Sequence, residues 1–153
     1  MSRALTTGNV PAPPKANEWE LFPHGADSGV RGHGETREAA FANAAYAMTA
    51  AAADASAVRP ETVVEVNCAA PDDELLLVDW LNALIFEMAT RRMLFSRFAV
   101  RIEDGMLAGV AWGEAIDPAR HGLGVEVKGA TYTALRVGQE ADGRWTAQCV
   151  VDV

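Results

Sequence analysis

Arg97-Phe-Ala-Val-Arg-Ile-Glu-Asp-Gly-Met-Leu-Ala-Gly-Val-Ala-Trp112 is the stretch whose reading decides the fold class. Phe98, Val100 and Ile102 alternate with Arg97, Arg101 and Glu103, the period of two expected of a half-buried strand. Asp104-Gly105 is a residue pair favoured in two-residue hairpins, whose central residues take positive φ. A return strand over about Met106 to Glu114, carrying Trp112, follows. The hairpin puts sheet structure in the fold and raises the question of what covers its apolar face.

Working back toward the N-terminus, Asp72 reads as the cap of a helix with Asp73 and Glu74 in its acidic first turn, running to about Thr90. Leu77, Trp80, Leu81, Leu84, Ile85 and Met88 form its apolar stripe, and Phe86 points away from it. Alternation of Val64, Val66 and Cys68 with Val63, Glu65 and Asn67 marks a strand over Thr62 to Cys68. Thr36 caps an earlier helix over about Arg37 to Ala53, rich enough in alanine to lie close to a sheet, with Phe41, Ala45, Met48 and Ala52 on one face. A short strand is expected from Trp19 to Phe22, stopped by Pro23, and another around Val30 to His33. Residues 1–17 carry three prolines and no aromatic residue, and read as a disordered extension ahead of one domain over 18–153.

Beyond the hairpin come a polar loop from Asp117 to Gly122 and strands near Leu123 to Lys128 and Thr131 to Val137. Asp142-Gly143 then turns the chain into a terminal strand from Arg144 to about Val151. The sum is an α+β fold, two helices packed on one face of a mixed, largely antiparallel sheet of about eight strands.

The formal net charge is −8. Of thirteen basic residues, Arg3 and Lys15 precede Glu18, so eleven face all twenty-one acids in the expected domain. A surface of that sign repels phosphate backbones, which argues against nucleic-acid binding through a broad basic face. No apolar run approaches the roughly 20 residues needed to span a bilayer, and no secretory signal is visible, so a cytoplasmic protein is expected. Cys68 and Cys149 lie outside any C-x-x-C pattern and read as small buried hydrophobes.

Chemistry is expected first in His24-Gly-Ala-Asp-Ser-Gly-Val-Arg-Gly-His-Gly34, which holds four glycines and two histidines but neither a dinucleotide fingerprint nor a P-loop. No serine sits in a G-x-S-x-G elbow, and no zinc-ligand spacing is present. The other candidates are His33, His121, the pair Glu126 and Lys128, and the final Asp152-Val153. Oxygen donors of this kind suit a hard cation such as calcium or magnesium. On the residues alone the plainer readings come first: Asp152 as a solvated residue at a frayed end, His24 as a hydrogen-bonded structural histidine, and Lys128 with Glu126 as the wet side of a strand.

The order of these landmarks resembles the archease family. His24-Gly-Ala-Asp27-Ser-Gly-Val-Arg31 resembles its H-T-A-D-I-G-I-R signature, with Gly25 in place of threonine and Ser28 in place of isoleucine. Leu77 to Asn82 and Met93 to Phe98 resemble its central helix and the strand after it. Gly113-Glu114 to Asp117-Pro118-x-x-His121 and Glu126-Val-Lys128-Gly-Ala-Thr131-Tyr132 resemble its G-E-x-x-D-P-x-x-H and E-V-K-A-x-T-Y segments, and Asp152-Val153 its closing D-V. The resemblance implies a non-catalytic activator of an RtcB-type RNA ligase in tRNA splicing or RNA repair, promoting formation of the ligase's guanylylated histidine and repeated turnover. It also implies a divalent metal, with calcium as the expected occupant, held by Asp27, Asp152 and Val153. His24, His121, Glu126 and Lys128 are the candidates for a partner-facing or functional surface. Two other classes remain: a small metal-dependent hydrolase using Asp27 and His24 to activate water, and a general chaperone-like interaction module.

Overall fold

The computed structural model describes residues 8–153. Along the chain run β1 (Trp19–His24), β2 (Asp27–Gly34), α1 (Arg37–Ala52), a 3-10 turn (Ala55–Ala57), β3 (Thr62–Ala69) and α2 (Asp73–Arg91). There follow β4 (Met93–Glu103), β5 (Met106–Ala115), α3 (Pro118–His121), β6 (Gly129–Ala130), β7 (Arg136–Gln139) and β8 (Trp145–Asp152). Of the extension expected over 1–17, residues 1–7 lie outside the described residues. The end of the extension is tied to the domain: the Lys15 N–H donates to Glu18 Oε1 at 2.7 Å and the Arg144 Nη2 donates to the Asn17 carbonyl at 3.0 Å.

The hairpin forms as its sequence requires. β4 and β5 pair antiparallel from Glu103↔Met106 to Met93↔Ala115, and Asp104 and Gly105 both take positive φ, 52° and 73°. One irregularity, between Phe95 and Arg97, takes Ser96 out of the ladder, and its buried hydroxyl donates to the Val58 carbonyl at 2.8 Å. β3 adds to the other side of β5, giving a three-stranded sheet in the order β3-β5-β4. The second sheet runs β1-β2-β8-β6, with β7 also paired to β8. Every pairing in both sheets is antiparallel. The strands expected in one sheet are thus divided between two.

Both long helices start at the predicted caps. The Thr36 hydroxyl accepts the Ala39 N–H at 3.0 Å, and the Asp72 carboxylate accepts the Leu75 N–H at 2.8 Å. α1 touches β1, β2, β7 and β8 of one sheet and β4 of the other. It is therefore buried almost all round, from Ala40 and Phe41 through Ala44 to Thr49, rather than along one stripe. α2 buries Leu77, Trp80, Leu81 and Leu84 of its predicted stripe, leaves Ile85 and Met88 half-buried and exposes Phe86. The Trp80 indole fills the core, its N–H donating to the Phe41 carbonyl at 3.1 Å.

Four local expectations are corrected. The strand expected over Thr131 to Val137 is interrupted by a turn with Ala134 at φ 53°, so that only Arg136 and Val137 of it are strand, at the start of β7. β1 continues through Pro23 to His24, because β1 is an edge strand and a proline there removes no ladder bond that the sheet requires. The Asp117–Gly122 loop contains a short helix, α3, capped by the Asp117 carboxylate. No strand forms over Leu123 to Lys128: Gly122 turns left-handed at φ 58°, the Gly124 N–H donates to the Ala52 carbonyl, and of Leu123, Val125 and Val127 only Val127 is buried.

Candidate functional site

The glycine-rich stretch is mostly strand. Its turn, His24-Gly25-Ala26-Asp27, joins β1 to β2, with Gly25 at φ +59° and Ala26 at negative φ, the sign pattern of a type II′ hairpin turn. Gly32 lies directly under α1: a Cβ there would stand 2.2 Å from both the Ala40 carbonyl oxygen and the Ala44 nitrogen. These glycines serve a turn and a helix–sheet approach, and none cradles a phosphate through a helix N-terminus.

β2 pairs with β8 from Gly34↔Trp145 to Ser28↔Val151. Carrying that register one residue further sets Asp27 across from Asp152, and side chains directly opposed across an antiparallel pair share one face of the sheet. The Val153 N–H donates to Asp27 Oδ1 at 3.3 Å, so residues 126 positions apart meet at this edge. His24 is the register partner of Asp27 on the other side, and is exposed. The Lys128 N–H donates to the Asp152 carbonyl at 2.8 Å, and β6 continues the ladder with Gly129↔Asp152. His24, Asp27, Asp152, Val153 and the Lys128 backbone therefore gather at one end of the five-stranded sheet. Glu126 is exposed on the preceding loop, beside a groove lined by Ile85, Met88, Arg92, Ile116, Leu123 and Val125.

His121 does not belong to this edge, nor to any surface. It is fully buried, and the Asp117 N–H donates to its Nδ1 at 2.9 Å, which leaves the proton on Nε2 to donate to Glu114 Oε2 at 3.0 Å. Glu114 is the hub of a closed network. Its carboxylate also accepts from Arg120 Nη2 at 2.5 Å and from the Arg59 N–H at 2.6 Å. The Arg120 guanidinium is the chief cause, with those N–H donors, that holds the Glu114 carboxyl down to about 2 against an opposing effect of burial. The G-E-x-x-D-P-x-x-H segment is thus a structural clasp between β5 and α3, and the expectation of His121 at a partner surface is withdrawn.

The oxygen donors at the sheet edge can be tested against a hard cation. Two carboxylates facing each other across a strand pair repel, and a cation between them reverses the sign of that contact. The Asp27 and Asp152 carboxylates and the main-chain carbonyls beside them are oxygen donors, which suit calcium or magnesium rather than zinc. Among the described residues, no three His, Cys, Asp or Glu side chains cluster as a metal site. Both thiols are poor ligands as they stand: burial pushes Cys68 up to about 11 and Cys149 up to about 12.

One contact at the edge was not legible in the sequence. The exposed α2 residue Asn82 accepts the Ala130 N–H at 2.8 Å and donates from Nδ2 to the Ala130 carbonyl at 3.5 Å. A polar residue on the outer face of a helix carries no signal of such a tie.

Fold and site together define a small two-sheet α+β protein whose first hairpin and last strand share an acidic, oxygen-rich edge. The model of the Archease protein family matches residues 19–153. The chain is 41% identical over 139 residues to the archease of Methanopyrus kandleri, covering 88% of this chain and 99% of that one. It is 35% identical over 140 residues to the archease of Pyrococcus furiosus, covering 89% and 99%. The solution structure of protein 1598 from Methanobacterium thermoautotrophicum superimposes with a TM-score of 0.77 at 34% identity, over 89% of this chain and 99% of that one. A crystal structure from Thermotoga maritima, described as an archease and possible chaperone, shares the fold at a TM-score of 0.57 and 17% identity, over 88% and 96%. This chain belongs to the archease family.

Proposed function

We propose that the protein is a non-catalytic activator of an RtcB-type RNA ligase in tRNA splicing or RNA repair, promoting the ligase's guanylylation and turnover through a divalent-cation site at the sheet edge. Membership of the archease family supports the role. The observation that supports the site is the β2–β8 register, which runs to Ser28↔Val151 and brings Asp27 and Asp152 to the same end of the sheet, with the Val153 N–H donating to Asp27.

Asp27, Asp152 and Val153 would hold the ion, with calcium the expected occupant. When bound, it would offset the charge of the two aspartates and bridge the terminal strand to the first hairpin. The chain's own residues supply the rest. The Lys128 N–H and β6 fix the Asp152 main chain, the Gly25 turn fixes Asp27, exposed His24 and Lys128 lie at the edge where a partner can meet them, and exposed Glu126 stands two residues before Lys128 on the preceding loop. The acidic surface suits a protein that acts on a ligase and leaves RNA to it.

The test is RNA ligation by a sub-stoichiometric amount of ligase. Multiple turnovers with this protein, and a single turnover without it, are expected. Equal turnover in both arms contradicts the role, and chelator-sensitive hydrolysis of phosphoesters by the protein alone would place it with hydrolases instead.

A further inference from the structure

We infer that Asn82 is a positioning residue for the sheet-edge cation site, acting as a one-residue substitute for a missing strand. This rests on the cation-site reading above. β6 is only two residues long and lies at the outer edge of its sheet, paired to β8 through Gly129↔Asp152 and Ala130↔Val151. The inner side of this segment is bonded to β8, with the Lys128 N–H donating to the Asp152 carbonyl and the Thr131 N–H to the Val150 carbonyl, but among the described residues no strand pairs with its outer side.

The Asn82 amide closes the outward side of that segment. A peptide group presents one C=O and one N–H, and so does a side-chain amide; Asn82 Oδ1 takes the Ala130 N–H at 2.8 Å while its Nδ2 reaches the Ala130 carbonyl at 3.5 Å. Ala130 is thereby bonded as a central-strand residue would be. Its position no longer depends on solvent, and the edge is blocked at that point to strand addition from another chain. Asn82 is anchored in turn by α2, next to the fully buried Leu81 and Trp80. The rigid helix therefore holds β6, β6 holds the Asp152 main chain, and Asp152 faces Asp27. An outer tie of this type acts on ligand affinity by fixing donors before the ion arrives.

The side chain is exposed and alanine is the better helix former, so Asn82→Ala keeps the fold. Calcium titration of the wild type and Asn82→Ala by calorimetry, with thermal unfolding in chelator and amide exchange at Ala130, separates positioning from bulk stability. The expected result is an unfolding temperature near that of the wild type, Ala130 exchange roughly tenfold faster and a calcium Kd roughly tenfold weaker. Asn82→Asp, which keeps the acceptor for the Ala130 N–H, restores slow exchange and binds calcium at least as well as the wild type. Unchanged calcium affinity in Asn82→Ala overturns the inference while leaving the cation site standing. If the wild type itself binds no calcium or magnesium, the cation site and this role of Asn82 fall together, and the exchange data then report a purely structural tie.

Discussion

Gly25 is where this chain departs from the threonine of the archease signature, and its backbone explains the choice. At φ +59°, with nothing within 4 Å of the point where a Cβ would stand, the cost of a side chain is conformational rather than steric. Gly25→Thr is expected to lower stability by about 1–2 kcal/mol, read from urea unfolding, and to loosen the turn that carries Asp27. A second residue-scale prediction concerns Glu114. Its folded-state carboxyl sits at about 2, below an ordinary value of 4.5, so its contribution is fully present above about pH 4.5 and is lost as the pH falls from there through about 2. Glu114→Gln should cost about 2 kcal/mol at pH 7 and flatten the decline in stability across that acid window. Unfolding midpoints measured at pH 6, 4 and 3 on both proteins check the sign. The sequence singled out His121 correctly as unusual but not its place, because a neutral histidine bonded at both nitrogens and a surface histidine look alike in sequence.

At the scale of elements, the close approach of α1 to β2 is the most exacting contact. Gly32 meets the helix main chain itself, which cannot turn aside as a long side chain can. Gly32→Ala should therefore cost about 2–3 kcal/mol, visible as a lower thermal midpoint, whereas the exposed Gly143→Ala test is governed only by its φ of +90°. Elements with strong local signals were legible: both helix caps, the Asp104-Gly105 hairpin and the terminal strand lie where propensity and period put them. The misses lie where tertiary context decides. The alternation of Leu123, Val125 and Val127 resembles a strand, but none of the strands among the described residues pairs with it, and Leu123 and Val125 stay exposed. α3 is four residues long, too short for a period to show, and Pro23 is harmless only because β1 lies at an edge.

At the scale of the whole molecule, the topology does what no local pattern could. β8 enters the sheet beside β2, so the last residues of the chain return to its first hairpin, and Asp27 meets Val153. That meeting was reached from sequence only through the resemblance to archeases, since spacing over 126 residues carries no information about contact. The same arrangement places an acidic edge, rather than a basic groove, at the proposed functional end of a chain with net charge −8. The decisive measurement is the rate of ligase guanylylation with GTP, in the presence of wild-type protein, Asp27→Ala or Asp152→Ala at matched concentrations and with folding verified. Stimulation by the wild type is expected to fall about tenfold or more in each variant, in step with lost calcium binding; full stimulation by both folded variants would contradict a role for the sheet-edge site in activating the ligase.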